Sequence, residues 1–513
     1  MRATWMILGL AVAVVPLTAQ SAVPRPLQRT AKYVVPTGSI VIQGARIEGG
    51  ASIKFTKVVD LAAGYSRQSE KMGQAVALSG FNGIAWDFVN GIVGIVDVPP
   101  QIADARARAF ADRAGWRPRG EVGGANIHHA SGRDGAVTYL PPGGSEVTVI
   151  YDPKTRLAKR LTIQTEYGPI VTSYADWRRV GRFRYPYRQI TAAPTGLTTV
   201  VQIERVRPAP AMQTKWFAPP PAQPHGHLLL GKPARVDFTL TGARQSHILV
   251  PAKISGQDAT LIFDTAGDNF LTNDAAQRLG LSTSGGVGLV GAGASNSNGS
   301  YATIDSIELG SAELRGETIS VGPSPFPPGP RTDGLTGYEF LAEFRTTIDY
   351  AAKTLTFSRF GQPWIRKGVR LPYYSDHNLI YVEARIGTAK GLFRLDSGDG
   401  GTITVFPNYA RQHGLEGGQG SDRPVGGGFG GGVVGRDATL PSFTFAGLRF
   451  GNLPATFSQN KAGGFAPRSI AGNLGAGVLQ CFRITIDRNA QSIEFEPLPP
   501  NPSCGRGAAV SPL

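Results

Sequence analysis

The chain has 513 residues, of which 41% are hydrophobic and 17% charged, and it carries a formal net charge of +15. A chain of this length allows about three or four domains, and its apolar fraction is ample for packed cores. No stretch beyond the N-terminus is long and apolar enough for a transmembrane helix, which excludes a protein with several transmembrane helices. The 67 glycines and the scarcity of helical periodicity indicate short strands joined by tight turns, so we predict an all-β dominated fold.

Residues 1–22 have the features of a secretory signal peptide. Arg2 supplies a basic start, residues 5–17 are apolar but short for a bilayer span, and residues 19–21 have a small-x-small cleavage pattern. We therefore predict an exported protein, periplasmic or secreted, whose mature chain begins near residue 20–23. An uncleaved membrane anchor is the alternative, because the cleavage pattern is loose.

The region at 30–205 predicts an N-terminal β-rich accessory domain built on an antiparallel sheet. Its strand-like runs lie at 39–55, 146–164 and 197–206, and one helical pattern lies at 100–116. No catalytic constellation is visible in it. The Pro-rich stretch that follows, 207–226, predicts a stiff, extended linker.

Basic residues concentrate at 177–188, where arginines alternate with aromatic side chains. Such interleaving is typical of nucleic-acid-binding proteins, but a strand with one solvated face explains the same pattern. We favour the strand, because export argues against nucleic acid as a partner. The net positive charge is compatible with association with an anionic envelope surface.

Residues 230–360 and 370–500 are two copies of one module, the first and the second repeat. Three pairs of segments match: a hairpin that ends in an apolar strand, a short helix, and a closing hairpin with seven of fourteen positions identical. The pairs are 248–263 with 380–395, 275–281 with 409–415, and 344–357 with 482–495, at offsets of 132, 134 and 138 positions. Matches at the start, middle and end predict two homologous lobes with modest loop insertions.

An acidic motif follows the same apolar strand in each repeat. The motifs are FDTAGDN at 263–269 and LDSGDGG at 395–401, which contain Asp264 and Asp396. Two carboxylates brought close together cannot both ionise, so the pair can share one proton and activate a water molecule. This chemistry needs no metal or organic cofactor.

The duplicated motif resembles that of retropepsin-like aspartyl peptidases, a family common in bacteria, here arranged as two lobes in one chain as in pepsins. The resemblance covers about half of the chain. It implies that each lobe is a small β-barrel that donates one catalytic aspartate, Asp264 or Asp396, at the lobe interface. It further implies an exported aspartic endopeptidase with a peptide or protein substrate, and a monomer because both lobes lie in one chain.

The resemblance also assigns supporting roles near the two aspartates. The hydroxyl residues Thr265 and Ser397 are expected to hydrogen-bond across the lobe interface. Small residues after them let the backbones approach the pair, and a later glycine motif completes each site. The small and glycine residues are Ala266, Gly267, Gly398, Gly337 and Gly475.

Glycine-rich stretches occupy the place where this family has a β-hairpin flap. They lie at 287–300 and 425–435, and the flap candidates within them are Gly291, Gly293, Gly428 and Phe429. A flap closes over an extended peptide, which pairs with it as an added strand. A plain mobile surface loop remains the alternative, whereas a phosphate-binding loop lacks the strand-loop-helix setting it needs.

Several residues depart from the family pattern. Ala266 stands where the family has glycine, and its methyl group either is tolerated or displaces Asp264. Asp268 and Asp399 add negative charge near the pair, and Thr336 replaces an apolar residue. These departures leave open a catalytically impaired peptide-binding protein that uses the same interlobe cleft. A third hypothesis is an envelope scaffold that acts through its basic N-terminal domain.

The two cysteines, Cys481 and Cys504, either form a disulfide, as export favours, or stay as two thiols. Neither has the spacing of a metal ligand. The pairs His128-His129 and His225/His227 lack further ligands, so we predict loop or surface histidines and no metal site.

Overall fold

A computed structural model describes residues 38–118, 124–130, 135–242, 244, 246–293, 295–326, 329–415, 421–499 and 501–513. Strands make up 55% of the structure and helices 10%, which confirms the predicted all-β dominated character. The predicted signal peptide, 1–22, lies outside the described residues. Within the described part of the chain, every helix is too short or too polar to cross a bilayer.

The N-terminal region forms one antiparallel sheet. Its strands are β1 Ser39–Glu48, β2 Ala51–Asp60, β3 Ser66–Met72, β4 Ala75–Phe81, β5 Ala85–Val89, β6 Ile92–Val96, β7 Asn126–Ala130, β8 Ala136–Leu140, β9 Val147–Tyr151, β10 Ala158–Thr165, β11 Gly168–Val180, β12 Phe183–Ala192 and β13 Thr198–Ala209. Neighbours in the chain pair with one another from β7 to β13 and from β1 to β6, and β13 pairs with β1 to join the two runs.

One helix packs on this sheet. Helix α1, Pro99–Phe110, begins with two prolines, whose fixed φ suits the first helical turn, and continues into a π-helical turn at Ala111–Gly115. Phe110 packs on Tyr139, with ring centroids 5.4 Å apart. Strand β9 buries every second residue against the helix, as alternation of apolar and polar residues predicts.

The Pro-rich segment after the sheet docks on it. Strand β13 extends to Ala209, so the predicted linker start at 207 is three residues too early. Phe217, in a 3-10 turn at Thr214–Phe217, is fully buried against Val41 and Val58, and its carbonyl accepts a 2.9 Å hydrogen bond from the Trp86 indole. The segment therefore packs on the sheet and is not a free linker, because Phe217 supplies a large buried apolar side chain.

The first repeat, together with one strand just before it, contains strands of 3 to 13 residues and two short helices. They are β14 Gly226–Leu228, β15 Ala234–Asp237, β16 Thr239–Thr241, β17 His247–Ile254, β18 Gln257–Asp264, β19 Phe270–Thr272, α2 Asn273–Arg278, β20 Thr283–Leu289, β21 Ser297–Leu309, β22 Ala312–Gly322, β23 Gly334–Gly337, α3 Tyr338–Glu343, β24 Arg345–Asp349 and β25 Thr354–Ser358.

The second repeat follows the same order. It contains β26 Val369–Pro372, β27 Tyr374–Asp376, β28 Leu379–Ile386, β29 Ala389–Leu395, β30 Ile403–Val405, α4 Pro407–Gln412, β31 Arg423–Gly428, β32 Gly431–Phe445, β33 Leu448–Ser458, β34 Gly472–Leu474, α5 Ala476–Leu479, β35 Phe482–Asp487, β36 Ser492–Pro497 and β37 Ala509–Pro512. Strand β37 pairs with β33, so the second repeat extends past the predicted end at 500. A disulfide between Cys481 and Cys504 ties this terminal strand to the repeat.

A six-stranded antiparallel sheet joins the repeats. Its order is β15-β25-β24-β35-β36-β26, three strands from each repeat. In the central pair Thr347 lies opposite Thr485, and their hydroxyl oxygens are 2.9 Å apart. These two threonines occupy equivalent positions, so the repeats meet around a local twofold axis. The N-terminal sheet also reaches the second repeat, where Val96 of β6 pairs with Asp376 of β27.

A histidine in the Pro-rich segment bonds to two carboxylates of the first repeat. His225, predicted to be a loop or surface residue, is half-buried; its Nε2 bonds to Glu317 and its Nδ1 lies 3.4 Å from Glu343. Burial by itself lowers the pKa of His225. The hydrogen bond to Glu317 and the charges of Glu317 and Glu343 outweigh burial and raise it.

We predict that His225 makes the stability of the protein depend on pH. Because its folded pKa is raised above the ordinary value of 6.5, its stabilisation is complete below that pH and is lost as pH rises through the folded pKa. His225→Gln should flatten the dependence of the melting temperature on pH on the alkaline side of pH 6.5. His129→Gln, at an exposed position, is the control, and an equal slope in both variants contradicts the assignment.

Candidate active site

The two acidic motifs end equivalent strands. Asp264 is the last residue of β18, which runs parallel to β23 with Asp264 opposite Gly337. Asp396 follows β29, and its N–H donates to the Leu474 carbonyl of β34 at 3.1 Å. Both loops then turn in the same way. The Gly267 N–H donates to the Asp264 carbonyl, and the Asp399 N–H donates to the Asp396 carbonyl.

Four hydrogen bonds link the two loops across the local twofold axis. The Thr265 N–H donates to Ser397 Oγ and the Ser397 N–H to Thr265 Oγ1, each at 3.0 Å. Each hydroxyl also donates to a carbonyl of the opposite strand, Thr265 to Leu395 at 2.9 Å and Ser397 to Phe263 at 3.2 Å. Both hydroxyl residues are at most 1% exposed, so all four bonds are shielded from water.

Backbone groups from both repeats bind the Asp264 carboxylate. Its Oδ1 accepts from the Ala266 N–H at 2.9 Å and from the Gly398 N–H at 3.2 Å. A Cβ on Gly398 would overlap the Asp264 carboxylate, so glycine is needed there. Ala266 keeps its N–H on Asp264 while its methyl group packs against the apolar cluster that contains Phe465. The structure thus accommodates the alanine at this position.

A buried amide binds the Asp396 carboxylate. The Asn473 side chain donates to Asp396 Oδ2 at 2.8 Å, and the Asp399 N–H donates to Oδ1 at 2.9 Å. Asn473 is fully buried in β34. Asn473 was not selected from the sequence, although a polar residue next to apolar ones in a buried strand is a signal for a functional side chain.

The environment raises the pKa of both aspartates. Burial is the main cause for Asp264, opposed by the N–H groups of Ala266 and Gly398 and by His247. Burial also holds the pKa of Asp396 well above its usual range, and the charges of Asp264 and Asp399 act in the same direction. The pair therefore holds a proton well above the pH at which an exposed carboxyl group loses it.

His247 is a second residue that sequence reasoning missed. It lies at the start of β17, and its Nε2 is 3.1 Å from the Gly398 carbonyl. It therefore touches the loop whose N–H binds Asp264, from a position that belongs to no repeated motif.

The remaining predicted residues lie around the pair. A Cβ on Gly337 would overlap the Asp264 carbonyl, and one on Gly475 would lie 2.6 Å from a backbone oxygen, so both allow close strand contact. Gly267 closes the first turn, with its N–H 3.1 Å from the Asp264 carbonyl, and Asp268 is half-buried beside it. Thr336 donates to the Asn269 side chain at 2.7 Å.

The glycine-rich hairpins meet tip to tip. The Gly293 N–H donates to the Phe429 carbonyl and the Ser295 N–H to the Gly430 carbonyl, each at 3.0 Å. The Phe429 ring packs on Phe270 of the first repeat with centroids 4.7 Å apart. The Gly291 carbonyl accepts a hydrogen bond from the Gly464 N–H of the second repeat. Gly428 lies against Ala292 of the first repeat.

In the described residues, neither a metal-binding cluster nor the cavity under the N-terminal sheet involves the two aspartates. Among the described residues, no three His, Cys, Asp or Glu side chains are arranged to hold a metal ion. A cavity of about 360 Å³ lies under the N-terminal sheet, lined by Phe55, Trp86, Tyr185 and other side chains, and neither aspartate borders it.

Comparison with known families gives one match. Residues 250–340 match the aspartyl protease family model, which spans the first acidic motif and the later Gly337. The chain matches none of the curated protein sequences significantly. The matched segment supports a peptidase hydrolase of the aspartyl protease type.

Three solved structures that resemble parts of the chain have low TM-scores. A putative outer membrane lipoprotein-sorting protein domain from Vibrio parahaemolyticus is 8% identical, with a TM-score of 0.25, over 35% of this chain and 89% of that one. A LolA superfamily protein from Nitrosomonas europaea is 11% identical, with a TM-score of 0.27, over 36% and 91%. A retropepsin-like aspartic protease from Rickettsia conorii is 21% identical, with a TM-score of 0.19, over 25% and 91%. At these scores the likenesses support no conclusion.

We predict that the hydroxyl bonds between the loops stabilise the joined repeats. Thr265→Val keeps the shape but leaves the buried Ser397 N–H and Leu395 carbonyl without partners, which should cost about 2 kcal/mol of unfolding free energy. Urea unfolding measures this loss. The control Thr303→Val, at an exposed strand position, should change stability by less than about 0.5 kcal/mol. Equal losses in both variants contradict the prediction.

We also predict that Asp396 destabilises the protein as pH rises. Its folded pKa lies above the ordinary 3.8, so stability is complete below that pH and falls as pH rises towards the folded pKa. Asp396→Asn cannot ionise and should flatten the curve of melting temperature against pH on the alkaline side of about pH 4. Asp237→Asn, at an exposed position, should leave the slope unchanged. A slope that persists in Asp396→Asn contradicts the assignment.

Proposed function

We propose that this chain is an exported aspartic endopeptidase in which the two repeats are retropepsin-like lobes, each donating one catalytic aspartate. One observation carries the proposal: the reciprocal bonds of Thr265 and Ser397 join the two aspartate loops, and the Gly398 N–H of the second loop binds the Asp264 carboxylate of the first. The aspartyl protease match over residues 250–340 supports the same chemistry.

The two carboxyl groups take different roles in the first step. Asp396 holds the shared proton, because burial and the charge of Asp264 raise the pKa of Asp396 well above its usual range. The Asp264 carboxylate, bound by two N–H groups, removes a proton from water. The water oxygen attacks the peptide carbonyl carbon while Asp396 donates its proton to the carbonyl oxygen, which gives a neutral tetrahedral diol.

Breakdown of the diol returns both groups to their starting states. Asp264, now protonated, donates to the leaving nitrogen as the C–N bond breaks. Asp396 takes back a proton from a diol hydroxyl as the new carboxyl group forms. The rigid loops keep the two groups aligned through both steps, so little reorganisation is required.

The hairpins place limits on the substrate. Two backbone hydrogen bonds join the hairpin tips, from Gly293 to Phe429 and from Ser295 to Gly430. A peptide therefore enters the cleft only when these two bonds open. An extended peptide presents its own N–H and carbonyl groups, and it can replace the tip bonds as an added strand. An unfolded polypeptide therefore fits the cleft better than a folded protein does. We further propose that the enzyme acts as a monomer in the envelope, where its basic surface associates with anionic polymers.

A peptide-binding protein without hydrolysis is the second hypothesis. The alanine at position 266 favours it, because this residue departs from the family's glycine even though the site accommodates its methyl group.

Hydrolysis of an unstructured protein at pH 4–7 tests the proposal, with and without pepstatin. Asp264→Asn and Asp396→Asn should each lower kcat by about 10²–10⁴-fold, since each removes a group that transfers a proton. Asp237→Asn is the matched control. Activity that survives either active-site substitution contradicts the paired mechanism. Pepstatin binding with no hydrolysis at any pH supports the binding protein.

A further inference from the structure

One loop of the second repeat lies between the hairpin tips and the Asp396 site. We name residues 459–471, which connect β33 to β34, the strap. The strap residues 462–467 are all buried, and the Gly464 N–H donates to the Gly291 carbonyl of the opposite hairpin at 3.1 Å. The Arg394 guanidinium donates to the Gly464 carbonyl at 3.0 Å. The strap then leads directly into the strand that contains Asn473.

The equivalent loop of the first repeat is anchored by its own carboxylate. The Asp333 N–H donates to the Thr260 carbonyl, and the Thr260 N–H donates back to Asp333 Oδ2, both at 2.8 Å. Arg278 and Arg331 lie 3.0 and 3.2 Å from the same oxygen. This charged anchor fixes the loop just before β23.

The second repeat lacks that anchor. Ala471 occupies the position equivalent to Asp333, and its N–H makes the equivalent backbone bond, to the Leu392 carbonyl at 2.8 Å. An alanine methyl group cannot accept a hydrogen bond, so the side-chain part of the anchor is missing from this repeat.

A carboxylate from the N-terminal region takes its place. Glu166, in the turn between β10 and β11, accepts from the Ser469 N–H at 2.6 Å and the Ile470 N–H at 3.0 Å on one oxygen. The Ser469 hydroxyl donates to the other oxygen at 2.8 Å, and the Glu166 carbonyl accepts from the Arg468 N–H at 2.8 Å. Hydrogen bonds to a charged acceptor are stronger than those between neutral groups.

Glu166 is itself held firmly. It is 5% exposed, and its own N–H donates to Asp104 Oδ2 at 2.7 Å. The other Asp104 oxygen accepts from the Ser145 hydroxyl at 2.6 Å. The next residue, Tyr167, packs against Ala462 of the strap, and its hydroxyl lies 3.3 Å from that of Tyr381. The N-terminal sheet thus offers the strap a rigid support.

We propose that Glu166 is a positioning residue for the peptidase site: by fixing residues 468–470 it sets the place of Asn473 against Asp396 and of Gly464 against the hairpin tip. The inference rests on the proposed function for its kinetic consequence, but not for its structural one. The N-terminal region then contributes directly to the structure of the site in the second repeat.

Glu166→Ala and Glu166→Gln in the full chain test the proposal by kinetics. Alanine leaves the Ser469 and Ile470 N–H groups without their acceptor, and the resulting displacement of the Asp396 site should lower kcat by about 10²-fold. The amide oxygen of glutamine accepts both N–H bonds, so Glu166→Gln should stay within about threefold of wild type. Asp152→Ala is the matched control, because Asp152 also accepts backbone N–H bonds, but only within its own exposed turn. It should change nothing.

Hydrogen exchange gives a readout that does not require activity. In Glu166→Ala, faster amide exchange should extend from 468–470 to the loop at 396–401 and the hairpin tip at 291–293, while the first repeat's loop near Asp333 stays unchanged. Faster exchange confined to 468–470, or kcat equal to wild type, overturns the proposal. Should Glu166→Ala fail to fold, Glu166→Asp, whose carboxylate is too short to reach Ile470, replaces it with the same two criteria.

The two measurements together distinguish failure of the peptidase proposal from failure of the positioning role of Glu166. If wild type hydrolyses nothing but exchange spreads as expected, the peptidase proposal fails and the role of Glu166 stands. If wild type is active and exchange does not spread, the peptidase proposal stands and the role of Glu166 fails.

Discussion

The reciprocal hydrogen bonds between Thr265 and Ser397 are the constraint on which the site depends. Each residue gives its N–H to the other's hydroxyl, and each hydroxyl donates onward to the opposite strand. Burial removes competition from water, so the two loops have one arrangement relative to each other. Because Asp264 and Asp396 immediately precede these residues, the geometry of the pair follows from these bonds.

Around this symmetric centre the two carboxylates have different surroundings. Asp264 is bound by backbone N–H groups, one of them from the opposite repeat, whereas Asp396 is bound by the Asn473 amide. The charge of Asp399 raises the pKa of both aspartates, and the Asp399 carboxylate accepts hydrogen bonds from Gly401 and Thr404. Unequal neighbours give duplicated groups unequal proton affinities, which is what a paired acid and base require.

The N-terminal region is continuous with the second repeat in three ways. Its sheet pairs with β27, Tyr167 packs against Ala462, and Glu166 binds the strap. The two repeats differ in the residue that anchors the loop before β23 or β34. In the first repeat Asp333 of the loop itself is the hydrogen-bond acceptor, whereas in the second repeat Glu166 of the N-terminal region is the acceptor. Loss of an internal anchor is tolerated when a neighbouring surface supplies the same acceptor.

Alternation and repeated motifs are local patterns with a direct physical meaning, so the sequence predicted the all-β dominated character and pointed to the matched segments that contain Asp264 and Asp396. It also pointed to Ala266 as a departure, but only the structure located its methyl group in an apolar cluster. Other contacts are visible only in the tertiary structure. They are the hydrogen bonds of Asn473, His247 and Glu166, the contact between the hairpin tips and the packing of Phe217 on the N-terminal sheet. Each joins residues distant in the chain through one or a few hydrogen bonds or a single buried ring. Such contacts depend on where whole sheets come to lie, and they leave no periodic trace in the sequence.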